Sequence, residues 1–285
     1  MRPRYSFSSK HSKRATESSK MRKQRGKYPE LLKRIIETSD IILEVLDARF
    51  IKETRNLKFE KEIKDQNKEI IYVLNKSDLL TDEKLRAIKN FKILQPNIPV
   101  SCEKRAGIKN LRDKIKAISK KIDKPLDTKY NKITVGVIGY PNTGKSSVIN
   151  LLIGRNSAPV GSQAGFTKGI QKLRLSQDIV ILDSPGVIPE AEYSSSDREA
   201  LARHTKVGGR SYSQIKDPEM SLAYLMKEYA EQIEKLYKIK SDGNTETLIE
   251  ELGKKKGYLK KGGEVDEDKT CRLILKDWQE GKIKI

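Results

Sequence analysis

The sequence predicts an α/β protein with a mainly parallel sheet, followed by a smaller α-helical region. Short apolar runs rich in β-branched residues are typical of buried parallel strands. Helical spacing of apolar residues precedes the first run and follows the glycine-containing turn after the fourth. Beyond residue 189 the pattern becomes helical. The predicted strands are 41–46, 69–74, 98–100, 133–138 and 179–182.

The composition is strongly basic, with 59 Lys and Arg against 39 Asp and Glu, a net charge of +20 and a pI near 9.7. An excess of this size favours a polyanionic partner. Residues 1–27 are Ser-rich and carry ten of the basic residues, so we expect a tail that is disordered until it meets RNA. A solvated arm without a partner is the alternative. For a chain of 285 residues, one α/β domain and a smaller one are expected.

Two cysteines, Cys102 and Cys271, are too few for a disulfide framework or a zinc site. This favours a reducing compartment. The sequence has no apolar run long enough for a membrane span, and its N-terminus lacks the apolar core of a secretory signal. We therefore expect a cytoplasmic protein without membrane contact.

Residues 139–146, GYPNTGKS, match the pattern of a phosphate-binding loop. Glycines let the backbone wrap so that N–H groups point inward, and the following helix adds its positive end. Lys145 is expected to reach the β- and γ-phosphates, and the Ser146 hydroxyl to bind Mg²⁺. The strand before the loop and the helix after it supply the required context. The nucleotide-binding residues predicted here are Pro141, Asn142, Thr143, Gly144, Lys145, Ser146 and Ser147.

The run NKSD at 75–78 predicts that the base is guanine. The Asp78 carboxylate can accept from N1–H and the exocyclic amine together, donors that adenine lacks in that arrangement. A buried polar site of this kind discriminates by on the order of 10⁴-fold. The run follows a predicted strand, where ligands gather in open α/β sheets. Asn75 and Asp78 are the predicted readers, and Lys76 is expected to pack over the base. Alone, the run is equally consistent with an ordinary turn.

Three shorter motifs complete the predicted site. Asp183, in DSPG at 183–186, offers a carboxylate for Mg²⁺ through water, and Gly186 offers an N–H for the γ-phosphate. Thr167, in GFTKG, is expected to bind Mg²⁺ in the triphosphate state and release it afterwards. Ser101 and Cys102 follow a strand end, where the Cys102 N–H can read guanine O6. Lys145, Thr167 and Gly186 are therefore predicted to act on the transferred phosphate.

The order of these motifs is unusual, because the guanine-reading run precedes the phosphate loop. In this order the chain resembles the circularly permuted GTPases of ribosome assembly, the YlqF or RbgA family. The resemblance also rests on DAR at 47–49 and on GGEVD at 262–266. It implies a permuted P-loop GTPase domain at 28–192 and an α-helical RNA-binding domain at 193–285. Implied ligands are GTP or GDP and Mg²⁺; implied partners are rRNA and the precursor of the large ribosomal subunit, bound by a monomer.

Permutation is physically reasonable, because the same strands can pair in the same spatial order wherever the chain termini lie. The basic stretch 120–132 is expected to join the old termini. In this order Thr167 and Asp183 lead directly into the C-terminal region, so nucleotide state can act on whatever follows. Two other functions stay open: a GTP-gated RNA-binding scaffold with negligible hydrolysis, and a GTPase that acts on tRNA or in translation.

The group that orients the attacking water is not identified by the sequence. Val187 stands where many GTPases carry glutamine, and it cannot hydrogen-bond water. Gln24 has suitable chemistry but lies in the tail. Asn142 is assigned two roles of equal weight: holding K⁺ beside the phosphates, or stabilising the loop turn. We predict slow intrinsic hydrolysis that the ribosome stimulates.

The C-terminal region is predicted to begin a helix at 217–219, with further helices at 245–252 and 266–280. Between them lies a predicted basic loop, 254–261, suited to phosphate contacts and to stacking by Tyr258. A surface loop with Tyr258 packed inward is the alternative. Arg49 either contacts the phosphate-side loops or anchors the end of its strand.

Overall fold

The computed structural model describes residues 28–122, 132–154, 171–184, 205–209 and 211–285. The strands are β1 Ile41–Asp47, β2 Glu69–Asn75, β3 Asn97–Pro99, β4 Ile133–Gly139, β5 Gln171–Arg174 and β6 Ile179–Asp183. The helices are α1 Tyr28–Thr38, α2 Ile51–Thr54, α3 Leu57–Asp65, α4 Asp82–Lys89, α5 Ile108–Ser119, α6 Lys145–Ile153, α7 Pro218–Tyr237, α8 Thr245–Lys256 and α9 Glu267–Gln279.

The strands form one sheet in the order β3-β2-β1-β4-β6-β5, in which only β5 is antiparallel to its neighbour among the described strands. The predicted α/β fold with a mainly parallel sheet is therefore confirmed. β1 lies between β2 and β4, with Ile41 opposite both Glu69 and Val135. Because the strands are parallel, the carboxyl ends of β1, β2, β3, β4 and β6 lie along one edge.

Both faces of the central sheet are covered, which is why strands β1, β2 and β4 are mostly apolar and buried. In β1, Leu43 and Val45 face a cluster that includes Leu111 of α5 and Val148 of α6. Alternate residues of β1 face a second cluster with α1 and α3. The sheet edge that bears the motifs is thus held rigidly between two helical layers.

The C-terminal helices have the caps that their sequences predict. Asp217 accepts from Met220 N at the start of α7, with Pro218 in the first turn. Asn244 and Asp266 cap α8 and α9 in the same way. One prediction is corrected: residues 254–256 form the last turn of α8, so the basic loop begins only at Gly257, whose φ is 65°. Three lysines continue the helix because they are good helix formers and suit its negative end.

The C-terminal helices pack against the sheet edge. Their apolar cluster, which contains Leu225 and Trp278, also includes Phe50 after β1 and Tyr140 after β4. The predicted tail (1–27), most of the predicted join at 120–132 and the predicted domain boundary at 192–193 lie outside the described residues. Across the ranges that are described, no helix is both long and apolar enough to span a bilayer.

The contact between α1 and β4 gives a test of packing. A Cβ on Gly136 would lie 2.5 Å from Ser39 Oγ and 2.7 Å from Ile35 Cγ2. We expect Gly136→Ala to lower the free energy of unfolding by about 1–3 kcal/mol, because the buried neighbours must move. Urea unfolding followed by circular dichroism measures the change.

Ser39→Ala supplies the control. Ser39 Oγ is buried and has no hydrogen-bond partner among the described residues, so its removal alone should cost little. It also makes room for the new methyl group, so Ser39→Ala should recover part of the loss in the double variant. Strict additivity of the two changes would contradict this packing argument.

Candidate nucleotide-binding site

The two predicted nucleotide motifs meet at the carboxyl edge of the sheet. Buried Asn75, at the end of β2, donates from Nδ2 to the carbonyl oxygen of Thr143 at 2.8 Å. A Cβ on Gly144 would lie 2.2 Å from the same Nδ2 atom, so only glycine allows this approach. Residues 68 positions apart in sequence are thereby fixed beside one another.

The phosphate loop has the backbone conformation that its sequence predicts. Gly139 has a φ of 151°, and a Cβ there would lie 2.4 Å from the Val45 carbonyl oxygen. Asn142 and Gly144 also have positive φ values, 59° and 92°. Helix α6 begins directly after the loop, at Lys145. The positive end of a helix therefore lies where the phosphates of a nucleotide would bind.

Lys145 is buried within this loop. Its Nζ donates to the carbonyl oxygens of Gly139 at 3.1 Å and Tyr140 at 2.8 Å. Burial lowers the pKa of Lys145 to about 8, although the Asp183 carboxylate opposes the shift. Among the described residues Lys145 forms no salt bridge, and a phosphate would provide an anionic partner.

Asp183, at the end of β6, has a carboxylate whose two oxygens are buried without a hydrogen-bond partner among the described residues. Burial raises its pKa to about 6, although Lys145 opposes the shift. A buried carboxylate in this condition is costly unless a cation compensates it. No cluster of three or more His, Cys, Asp and Glu occurs in the part of the chain that the structure describes. The unpartnered Asp183 carboxylate fits a Mg²⁺ ion that it would hold together with the predicted Ser146 hydroxyl and phosphate oxygens.

The base side of the site is formed by the turn after β2. Lys76 has a φ of 60°, and residues 77–79 form a single 3₁₀ turn. Lys76 Nζ lies 3.0 Å from Oδ2 of Asp47, the last residue of β1. Arg49 binds the same carboxylate, from Nε to Oδ1 at 3.0 Å and from Nη2 to Oδ2 at 2.8 Å. Burial raises the pKa of Asp47, but the two cations outweigh it and hold the pKa well below its usual range.

The third strand end completes the base side. Ser77 N donates to the Val100 carbonyl oxygen at 3.1 Å, which ties the base turn to the end of β3. Ser101 Oγ accepts from Lys104 N at 3.0 Å and so shapes its own turn. Burial and the Asp78 carboxylate raise the pKa of Cys102 to about 11, so its thiol is neutral. The structure brings Ser101 and Cys102 beside the turn that carries Asp78.

Two contacts were not predicted from sequence. Asn142 Nδ2 donates to the Gly208 carbonyl oxygen at 2.6 Å, which links the phosphate loop to the C-terminal region. Arg49 Nη1 donates to the Trp278 carbonyl oxygen at 3.3 Å. Arg49 therefore anchors the end of its strand, which is one of the two roles predicted for it. It does so partly through a contact with helix α9. Thr167, Gly186, Val187 and Gln24 lie outside the described residues.

Comparison with known proteins supports the same fold and ligand class. Residues 134–252 match the family described as 50S ribosome-binding GTPase. An uncharacterized GTP-binding protein of Methanocaldococcus jannaschii is 37% identical over 92% of this chain and 68% of its own length. GNP-bound YlqF from T. maritima superimposes with a TM-score of 0.63 at 25% identity, covering 90% of this chain and 94% of that one.

The chain belongs to the circularly permuted, YlqF-like GTPases. Nuclear GTP-binding protein NUG1 of Saccharomyces cerevisiae is 33% identical over 93% of this chain. Nucleolar GTP-binding protein 2 of the same yeast is 33% identical over 88% of this chain. The chain spans only 56% and 51% of the lengths of these two relatives.

The pKa of Lys145 predicts a pH dependence for GDP binding in this GTPase. Lys145 is protonated below about pH 8, and the ammonium form is the one that attracts phosphate. In the absence of Mg²⁺, GDP affinity should be flat below that pH and fall by up to about tenfold per unit above it. Binding near pH 8.5 should therefore take up protons, by about half a proton or more.

Titration calorimetry in two buffers of different ionisation enthalpy measures this proton uptake. Lys145→Met, which has no titrating group, should bind more weakly and lose the dependence between about pH 7.5 and 9.5. A wild-type affinity that stays constant across that range would contradict the assignment.

Proposed function

We propose that this chain binds guanine nucleotide, hydrolyses GTP with Mg²⁺, and binds rRNA of the large-subunit precursor during ribosome assembly, with release controlled by the nucleotide. The observation that supports it most is the hydrogen bond between Asn75 and Thr143, because it joins a guanine motif to a phosphate loop. The match of residues 134–252 to the family described as 50S ribosome-binding GTPase supports the ribosomal partner.

In this proposal the loop backbone and the Lys145 ammonium hold the β- and γ-phosphates. Ser146 and Asp183 hold Mg²⁺, which offsets charge on the phosphate oxygens when bound. Asp78 accepts from guanine, and the stem of Lys76 packs over the base. Thr167 and Gly186, which the described residues do not include, keep their predicted roles at the metal and the γ-phosphate.

The reaction forms a bond between a water oxygen and the γ-phosphorus and breaks the bond to the β–γ bridging oxygen. Its products are GDP and inorganic phosphate. Lys145 neutralises charge that develops on the phosphate oxygens during this transfer. The group that orients the water is not assigned, and Gln24 and Val187 lie outside the described residues, so slow turnover without a partner remains the expectation.

A role for K⁺ beside Asn142 also remains a prediction. The Asn142 amide donates to Gly208, a contact that lies outside both roles considered from the sequence. Equal hydrolysis rates in Na⁺ and K⁺ would reject the K⁺ role.

The basic surface around α8 supports an RNA partner. Lys254, Lys256, Lys260 and Lys261 are exposed. Half-buried Tyr258 is covered by Lys269, whose Nζ lies 4.2 Å from the centre of the ring. We therefore propose that this surface binds phosphates rather than stacking on bases.

Asp78→Asn tests guanine recognition. Asparagine can donate to the C2 oxygen of xanthine but cannot accept from both guanine donors at once. We expect GDP affinity to fall by on the order of 10²-fold or more, and xanthosine diphosphate affinity to rise. Competition against a fluorescent nucleotide measures both, with ADP as the control that should bind poorly throughout. Equal GDP and ADP binding by the wild type would remove the guanine assignment.

Turnover with purified large and small ribosomal subunits tests the partner. Stimulation by the large subunit of about tenfold or more is expected, since a docked partner can fix the water-orienting group. Absence of hydrolysis with GTP-dependent RNA binding would favour a scaffold. A footprint on tRNA would favour a role in translation instead. The monomeric state and the cytoplasmic location stay predictions, and size-exclusion chromatography and cell fractionation test them.

A further inference from the structure

Asp47 lies at the centre of a buried charge cluster that the proposed nucleotide chemistry does not use. It is the last residue of β1, and it pairs in the sheet register with Asn75 of the guanine motif. Ala48 N also donates to the Asn75 carbonyl oxygen at 2.8 Å. The Asp47 side chain is fully buried, so its charge is stabilised only by what it contacts.

One partner of Asp47 belongs to the base side of the site. Lys76 is bound at 3.0 Å while its backbone has a φ of 60°, a conformation that L-residues adopt at a cost. A tether on Nζ fixes the direction of the whole side chain, including the methylene stem. Asp47 thereby fixes the stem that, in the proposed function, covers the guanine ring.

The other partner belongs to the contact with the C-terminal region. The Arg49 side chain is 2% exposed and holds Asp47 through two nitrogens. Its third nitrogen donates to the Trp278 carbonyl oxygen in α9. The guanidinium carbon also lies 4.9 Å from the ring centre of Phe50 and 5.8 Å from that of Trp278. Arg49 can satisfy all these contacts only while α9 is docked.

A second contact links α9 to the same base turn. Gly281, just after α9, has a φ of 77°, and a Cβ there would lie 2.5 Å from Leu79 Cδ1. Leu79 belongs to the 3₁₀ turn that carries Asp78. The end of α9 therefore lies against the guanine-reading turn at a point separate from Arg49.

We propose that Asp47 is a positioning residue for guanine recognition and that Arg49 makes nucleotide affinity depend on the docking of helix α9. The inference rests on the proposed function at the same site. Docking of α9 stabilises the Asp47–Lys76 arrangement, so nucleotide binding must stabilise docking by the same factor. A partner that pulls on the C-terminal region would speed nucleotide release, and a bound nucleotide would hold the region in place.

The experiment compares GDP with inorganic pyrophosphate, which can contact the phosphate loop but has no base. Asp47→Asn should weaken GDP binding by about tenfold or more, within the usual range of coupling, and leave pyrophosphate affinity within about twofold. Arg49→Lys keeps a charge beside Asp47 but cannot also reach Trp278, so GDP release should quicken by about threefold to tenfold. Equal losses of GDP and pyrophosphate would overturn the positioning role.

Arg272→Lys is the matched control. Arg272 donates to the carbonyl oxygens of Tyr212 and Ile215 within the C-terminal region, away from the base turn. It should leave GDP release unchanged. If Arg272→Lys speeds GDP release as much as Arg49→Lys does, any weakening of contacts in the C-terminal region affects nucleotide release. That result would overturn the specific role of Arg49.

Hydrogen exchange measures the reciprocal effect and does not depend on the Asp47 variant being folded. In the wild type, GDP should slow amide exchange across residues 267–279 about fivefold or more, and in Arg49→Lys this protection should be largely lost. If GDP does not change the rate of amide exchange in α9, the proposed coupling is overturned. If the wild type did not prefer GDP to ADP, the proposed function itself would fail, a result distinct from either of these.

Discussion

The placement of β1 between β2 and β4 is the constraint on which the rest of the structure depends. These parallel pairings bring the strand before the phosphate loop and the strand before the guanine motif to one sheet edge, one strand apart. The hydrogen bond from Asn75 to Thr143 then crosses over the end of β1. The chain can therefore enter this site in reversed order without changing it, because pairing depends on neighbouring strands and not on where the termini are.

Two groups of buried charged side chains lie at this edge, and they differ in whether side chains of the protein pair with them. Asp47 is fully paired, with Lys76 and Arg49 bound to one carboxylate, so it stays ionised. Among the described residues, Lys145 and Asp183 are buried without such pairing, and burial shifts the pKa of each in the direction that favours its neutral form. The first arrangement is complete within the folded chain. In the proposed function, ligands complete the second arrangement, because phosphate would offset one charge and a divalent cation the other.

The C-terminal helices depend on the same edge for part of their core. Phe50 and Tyr140, which follow β1 and β4, pack in the cluster that contains Trp278. Asn142, Arg49 and Leu79 contact this region from three different loops of the site. A movement of the loops that carry Asn142, Arg49 and Leu79 would therefore change contacts that the helical region makes.

Much of the site could be predicted from local pattern. Glycine spacing predicted the phosphate loop, NKSD in the company of that loop predicted a guanine base, and apolar runs predicted the strands, because each depends on a few adjacent residues. The basic loop was placed three residues too early, since lysine suits both a helix end and a loop. The contacts of Asp47 with Lys76, of Arg49 with Trp278 and of Asn142 with Gly208 could not be predicted, because the two residues of each pair lie far apart in sequence. The sequence by itself predicted the nucleotide chemistry and showed the permuted order of the motifs. Only the tertiary structure decided that the buried Asp47 carboxylate binds both Lys76 of the base turn and Arg49, which in turn donates to Trp278 of helix α9. These contacts exist only after the sheet has brought the segments together.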